Sequence, residues 1–434
     1  MPPRRYPALI ASVALLAFAA MGSAAAATTL RVATWNLGWH VSQAELGAWI
    51  AQCGRSYLRN PGTGTWEVAE PGSAGARVGW TILDGRPTLE GVDLAVMPPC
   101  GVYRSPSREG IAVTPAAWAK RNEQLARMLG RDVRADVVAF QEVSGTAAVR
   151  EALGPAAADY DLCSFDGPYK IQRLAFAWKR SIGTPVEPCQ VFRELSLPDL
   201  PPKDQVRPGL ALTLQVGGQR LRFLTVHLKS ACVSPLDRGR LDAVGRADEP
   251  CAILQRQIAP LEAIIESLPQ GVDHVVVLGD FNRNLAHEAA RVPGAEPVRS
   301  DGSTNLDSPR ASGVLSRNLL LEVNDGQPAA SRLTLLAAGC PGAPAVAAAC
   351  DAARTRALDA DERRRLSDRN GLGCRNAAGL VHILVSGSLA DRIVSTAKIP
   401  LGNLGRALSA RPPDHPEPLL AVSDHCPQVT EIRL

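Results

Sequence analysis

The sequence lacks a bilayer-spanning start. Its first apolar run, Ala8 to Met21, is about fourteen residues long, and a transmembrane helix needs about twenty, so an uncleaved anchor is disfavoured. It also lacks an excess of charge. The 47 Lys and Arg nearly balance 43 Asp and Glu, leaving a formal +4 over 434 residues, whereas holding nucleic acid by charge alone needs a clustered basic face. The ten cysteines include no Cys-x-x-Cys pair, which argues against the common zinc-site spacing. No internal repeat is found, so nothing points to a solenoid. Aromatic side chains are only 4% of the chain, and Trp66, Trp80 and the run Val92 to Met97 do not make the aromatic hairpin that docks on a lipid surface.

What is present begins with Arg4 and Arg5, the apolar run, and then Gly22-Ser23-Ala24-Ala25-Ala26-Ala27. This order predicts a secretory signal peptide over residues 1–27, cleaved after Ala27. Pro7 sits where a twin-arginine signal usually continues with apolar residues, so ordinary export is expected. The mature chain is then secreted or periplasmic, with no stable membrane insertion. Removing Arg4 and Arg5 lowers the formal charge from +4 to +2. Residues 28–434 are expected to form a single large α/β domain, and a hydrophobic content of 46% supports a large core. Gly- and Pro-rich residues at about 50–115 and a mixed stretch at about 285–375 read as insertions. An even cysteine count in an exported chain favours disulfides. Proximity along the chain suggests Cys53–Cys100, Cys163–Cys189, Cys232–Cys251 and Cys340–Cys350, leaving Cys374–Cys426.

Four apolar runs end the same way. Leu30 to Asn36, Asp136 to Glu142, Leu221 to His227 and His274 to Asp280 each read as a strand closing on one polar residue. The end of a buried strand is a rigid platform for a catalytic group. Helical spacing over Trp118 to Leu129 and Cys251 to Leu268 separates these strands, with Pro260 expected to kink or divide the second helix. Alternating strands and helices predict a layered α/β or α+β domain. The run Asp359 to Arg369 mixes both signs of charge and reads as a solvated helix face.

Thr34-Trp35-Asn36, Gln141-Glu142, His227-Leu228-Lys229-Ser230, Gly279-Asp280-Phe281-Asn282 and Ser423-Asp424-His425 resemble, in order, the signature motifs of the endonuclease/exonuclease/phosphatase superfamily. Any one alone is weak. Together they span nearly the whole mature chain, with the insertions outside. The resemblance implies a four-layer α/β/β/α sandwich of two packed mixed β-sheets flanked by helices, with the site at one end of the sheets. It also implies a metal-dependent phosphoesterase.

The residue types suit that chemistry. Phosphodiester hydrolysis needs charge neutralisation, an activated water and a stabilised leaving oxygen. Glu142 and Asp424 are hard oxygen ligands suited to Mg²⁺ or Mn²⁺, and Asn36 adds a neutral one. Asp280 can orient or deprotonate water, while Asn282, His227 and His425 can donate to the phosphoryl group. Lys229 and Arg207 are weaker candidates for binding substrate. Asp414-His415 repeats the Asp-His pair in a proline-rich loop and reads as a decoy. One departure stands out: Val381 replaces the Asp that the family usually sets behind its catalytic histidine, so that either His382 or an insertion residue orients His425 or catalysis is weakened. The expected activity is hydrolysis of a phosphodiester, nucleic acid foremost, by a monomer. A phosphatase or lipid phosphodiesterase, or a non-catalytic binding protein that kept the fold, are the alternatives.

Overall fold

The computed structural model describes residue 1 and residues 29–82, 88–103, 111–166, 171–202, 204–232, 250–289, 319–356, 358–377, 379–405 and 420–434, without the side chains of 251 and 252. The expected signal peptide, the Cys251 side chain and Asp414-His415 lie outside them. The chain runs from β1 (Thr29–His40) and α1 (Gln43–Cys53) into an insertion of β2 (Ser56–Arg59), β3 (Trp66–Ala69) and β4 (Arg77–Val78). α2 (Pro115–Met128), β5 (Val137–Val143) and α3 (Thr146–Leu153) follow, then β6 (Tyr160–Ser164), β7 (Arg173–Lys179), β8 (Thr184–Pro185) and β9 (Gln190–Phe192). Next come β10 (Gly209–Val216), β11 (Gln219–His227), α4 (Pro250–Ser267), β12 (His274–Asp280), α5 (Leu285–Ala289) and α6 (Leu319–Val323). The last elements are β13 (Leu333–Leu335), α7 (Pro344–Ala352), α8 (Ala360–Ser367), β14 (Val381–Ser386), α9 (Gly387–Ala390), β15 (Ile393–Lys398) and β16 (Gln428–Arg433).

Two mixed sheets carry the architecture. One has the order β15-β16-β1-β5-β7-β6, the other β13-β14-β12-β11-β10-β8, with β9 also on β10. Each contains a central parallel pair, β1 with β5 and β11 with β12, among antiparallel neighbours. A parallel pair needs a crossover, and α2 and α4 supply these. The sheets face each other across a dry core in which Leu30, Val32, Val137 and Phe176 meet Leu212, Phe223, Val276 and Ile383. Phe176 and Phe223 touch edge to face across this interface, with centroids 6.4 Å apart. Leu125, Met128, Val149 and Leu366 bring helices onto the outer face of the first sheet, and Leu254, Ile258, Leu261 and Leu320 do so for the second. The result is the expected four-layer sandwich.

Strand assignments from periodicity fall close to the observed ones, and β12 has the expected bounds. α4 runs through Pro260 as one helix, so the proline does not divide it. α8 is capped by Asp359, whose carboxylate accepts from Glu362 N–H at 2.8 Å, and Arg363 and Arg364 are exposed. The first insertion buries its aromatics: Trp49, Trp66, Trp80, Tyr103 and Trp118 form a satellite core. Disulfides join Cys53–Cys100, Cys163–Cys189, Cys340–Cys350 and Cys374–Cys426, the pairs that proximity suggested. Cys232 is also in a disulfide. Among the described residues no helix is long and apolar enough to cross a membrane.

Candidate active site

The four polar strand ends meet where the two sheets adjoin. Parallel neighbours end on the same side, so β1 and β5 deliver Asn36 and Glu142 together, and β11 and β12 place His227 directly opposite Asp280. Asn36 spans the gap: its Nδ2 donates to Glu142 Oε1 at 3.2 Å and to Asp280 Oδ2 at 2.9 Å. Its Oδ1 accepts from Gly38 N–H at 2.9 Å. His227 Nε2 lies 3.6 Å from Glu142 Oε1 and 3.8 Å from Asp280 Oδ2. His425 Nε2 lies 3.6 Å from the same Asp280 oxygen.

Local backbone aims these groups. Glu142 sits at a bulge, where the register of β5 with both neighbours slips between Gln141 and Val143, and its φ is +57°. A bulge re-aims a side chain at the cost of an irregular ladder, and strain of this kind persists where the surroundings enforce it. Gly279 precedes Asp280 with φ +143°, and a Cβ there would stand 2.2 Å from the Val226 carbonyl oxygen; only glycine lets β12 lie this close to β11. Asn282 has φ +52°. Its N–H donates to Asp280 Oδ1 at 2.9 Å and its Nδ2 to the Leu228 carbonyl at 3.1 Å, so it fixes the Asp280 carboxylate and ties the two strand ends.

Asp424 and His425 arrive on the loop before β16. Ser423 Oγ donates to the Asn36 carbonyl at 2.5 Å and accepts from His425 N–H at 2.9 Å. Trp35 Nε1 donates to the His425 carbonyl at 2.9 Å. Arg121 of α2, fully buried, donates to the carbonyls of Leu37 at 2.6 Å, Ala421 at 3.1 Å and Val422 at 2.9 Å, locking this loop to the end of β1. Arg207 is buried and donates to the carbonyls of His227 and Leu228. Lys229 is half-buried, with Nζ 3.3 Å from the Ser230 carbonyl. Both therefore flank His227 at the end of β11.

Charge in the site is unbalanced. Burial, and next the nearby Asp424, push the Glu142 carboxyl up from 4.5 to about 7, with Asp280 adding to the effect and His425 and Asn36 opposing it. Burial, and then Arg207, hold His227 well below its ordinary 6.5. A pocket of about 100 Å³ opens onto Glu142, Asp424 and His425, with Trp39, Val102 and Tyr103 on its apolar side.

Sequence comparison places this geometry. Residues 109–425 match the Endonuclease/Exonuclease/phosphatase family, which is well over half of the chain. The chain belongs to the endonuclease/exonuclease/phosphatase family. Similar solved structures include a member of this family from Bacteroides thetaiotaomicron, at 14% identity over 94% of this chain and 98% of that one, with a TM-score of 0.43. D. rerio TDP2 complexed with a single strand DNA product is 14% identical over 73% and 92%, at 0.40. The human Nocturnin catalytic domain with bound sulfate is 15% identical over 72% and 86%, at 0.37. No curated protein matches the sequence.

Members of the endonuclease/exonuclease/phosphatase family are hydrolases of phosphoester bonds that generally use divalent metals, and the donor set here fits such an ion. Glu142, Asp280 and Asp424 bring acidic oxygens together, and burial first, then the charges of Asp424 and Asp280, raise the Glu142 carboxyl, an imbalance that a cation would offset. Among the described residues no three acidic, histidine or cysteine side chains close into a full cage. Mg²⁺ tolerates this, because it is usually held by one or two carboxylates with water and substrate phosphate completing the shell.

Sequence reasoning missed two residues. Asn376, from the second insertion, has Nδ2 3.2 Å from Asp424 Oδ2 and 3.0 Å from His425 Nε2, and its N–H donates to the Asp424 carbonyl at 2.8 Å. The available signal was the leftover Cys374–Cys426 pair, which brings this segment beside His425. Arg121 carried no signal beyond its place in a helix. Val381 lies opposite Asp280 in the β12–β14 ladder, and His425 Nδ1 is buried without a partner. His382 does not orient His425, since its Nε2 lies against the carbonyls of Arg283 and Gly379 at 3.0 and 3.2 Å. It is Asn376 that contacts His425.

Proposed function

We propose that this protein is a secreted, divalent-metal-dependent phosphodiester hydrolase that acts as a nuclease. One observation carries the reading: groups from both sheets converge on Asp280, with Asn36, His227 and His425 all within 2.9–3.8 Å of its Oδ2. Glu142 and Asp424 would hold the Mg²⁺ or Mn²⁺, with Asn36 beside them. When bound, that ion supplies positive charge against the phosphoryl oxygens and the leaving oxygen.

The protein's own groups do the rest. Asp280, fixed through both oxygens by Asn282 N–H and Asn36 Nδ2, accepts a hydrogen bond from the attacking water and takes its proton. His227 is kept neutral by burial and donates to a phosphoryl oxygen as charge grows. His425 faces the same oxygen of Asp280 and contacts the phosphoryl group from the other side. Asn282 and Arg207 hold the ends of β11 and β12 in place, and Lys229 lies where it can meet a neighbouring phosphate. The apolar side formed by Trp39, Val102 and Tyr103 favours a substrate with a planar base over a uniformly polar polyol phosphate. Export is supported by the disulfides.

The test is hydrolysis of supercoiled DNA, RNA and bis-(p-nitrophenyl) phosphate by the oxidised protein with Mg²⁺ or Mn²⁺, then with EDTA. Wild type cleaves a nucleic acid only with metal, and Asp280→Ala loses about a hundredfold to ten-thousandfold in rate. Metal-independent cleavage, or an unimpaired Asp280→Ala, overturns the mechanism. Turnover confined to small phosphate esters or lipids overturns the nuclease assignment.

A further inference from the structure

Behind β14 lies a second cavity, of about 90 Å³, that shares no lining residue with the pocket at the carboxylates. Its walls include Val381, Lys398, Gln428 and Arg354, with Leu335 and Ala337 on the apolar side. Among the described residues no aspartate or glutamate lines it.

Two of the polar groups here, on Lys398 and Gln428, are donors short of acceptors. Lys398 is 5% exposed, and its ammonium, which carries three donors, makes one hydrogen bond, to the Val381 carbonyl at 3.3 Å. Burial lowers its pKa to about 8, and the charge of Asp280, which does not line the cavity, opposes that fall. Gln428 is 1% exposed and its Nε2 has no partner. Arg354 stands nearer solvent, its Nη2 on the Ala338 carbonyl at 2.6 Å and its Nη1 on Asp351 at 3.1 Å. A buried ammonium that no carboxylate among the described residues meets directly is costly, as is a buried amide N–H without an acceptor.

We propose that this cavity binds a short-chain carboxylate, of about two to four carbons by its volume, with the carboxylate taken by Lys398 Nζ and Gln428 Nε2. The alkyl tail lies against Leu335 and Ala337. A halide satisfies the ammonium but leaves most of the space empty, and a phosphate turns polar oxygens toward apolar walls. The carboxylate matches both ends of the cavity. Binding here does not depend on the phosphodiesterase reading, because it is measured without turnover.

Isothermal titration of the full, oxidised chain with sodium butyrate tests this, with butyramide and sodium chloride as controls. Butyrate binds at one site, butyramide does not, and chloride competes only weakly. Lys398→Met weakens butyrate by about tenfold to a hundredfold, the loss expected for a hydrogen bond to a charged group. Gln428→Met, which leaves the ammonium in place, weakens it by about tenfold or less and carries the decision if Lys398→Met does not fold. Equal binding of butyramide, chloride binding as tightly as butyrate, binding untouched by Gln428→Met, or no butyrate binding by folded wild type overturns the proposal.

Discussion

Replacing Glu142 by Gln turns the charge imbalance at the site into a measurable pH dependence. Folding moves the Glu142 carboxyl from 4.5 to about 7, a shift worth a few kcal/mol. The folded state binds the extra proton between these values, so the carboxyl disfavours folding increasingly as pH rises from about 4.5 to about 7, and the full cost is present above about 7. Most of the change falls between pH 5 and pH 8, on the order of 2 to 3 kcal/mol. Urea unfolding in EDTA at both pH values measures it. Wild type loses on the order of 2 to 3 kcal/mol more than Glu142→Gln over this interval, and the comparison cancels the other groups that titrate there, His227 and His40 included. Adding Mg²⁺ at pH 8 restores stability to wild type more than to the variant, since the cation replaces the proton as the partner of the carboxylate. Equal pH slopes for the two proteins would refute the reasoning.

Two further outcomes follow from contacts at the same site. Asn376→Ala removes the amide that touches both Asp424 and His425; kcat on bis-(p-nitrophenyl) phosphate falls by about tenfold to a hundredfold with KM little changed, and a shift in KM alone would contradict this. The Cys374→Ala/Cys426→Ala pair opens a crosslink between positions 52 apart; urea unfolding shows a loss of about 4 kcal/mol on the loop-entropy scale, with activity falling because Asn376 and His425 are no longer held together.

The strand ends were legible because chemistry and burial coincide in them. β5 and β12 lie in the middle of their sheets, so their sequences are near-continuous apolar runs; β12 stops at Asp280 and β5 one residue past Glu142. Three of the cysteine pairs were legible by proximity and Cys374–Cys426 as the remainder. What could not be read is what tertiary structure alone creates. Glu142 owes its direction to a bulge that no local sequence pattern announces. Asn376 is one asparagine at the end of an insertion, brought to His425, 49 residues away, by the Cys374–Cys426 disulfide and a short β-bridge. Arg121 looks like any arginine on a helix until its guanidinium is found capping three carbonyls. Val381 was identified from sequence, with an insertion residue among the expected substitutes; what the sequence did not show is that Asn376 meets His425 at Nε2 and that the buried Nδ1 is left without a partner.

The position of the site where two sheets adjoin has a consequence for how the protein fails. Half of the reacting groups ride on one sheet and half on the other, and the halves are aligned over most of their area by the apolar layer around Phe176 and Phe223, with Gln141 donating to Thr225 and the Cys163–Cys189 disulfide as further ties between the sheets. The molecule works like a vernier: a slide of one sheet by a fraction of an ångström leaves every strand intact yet separates Asn36 and Glu142 from Asp280 and His227. Wear in that apolar bearing, by heat or by a substitution far from any substrate, is registered first as lost turnover and only later as lost structure.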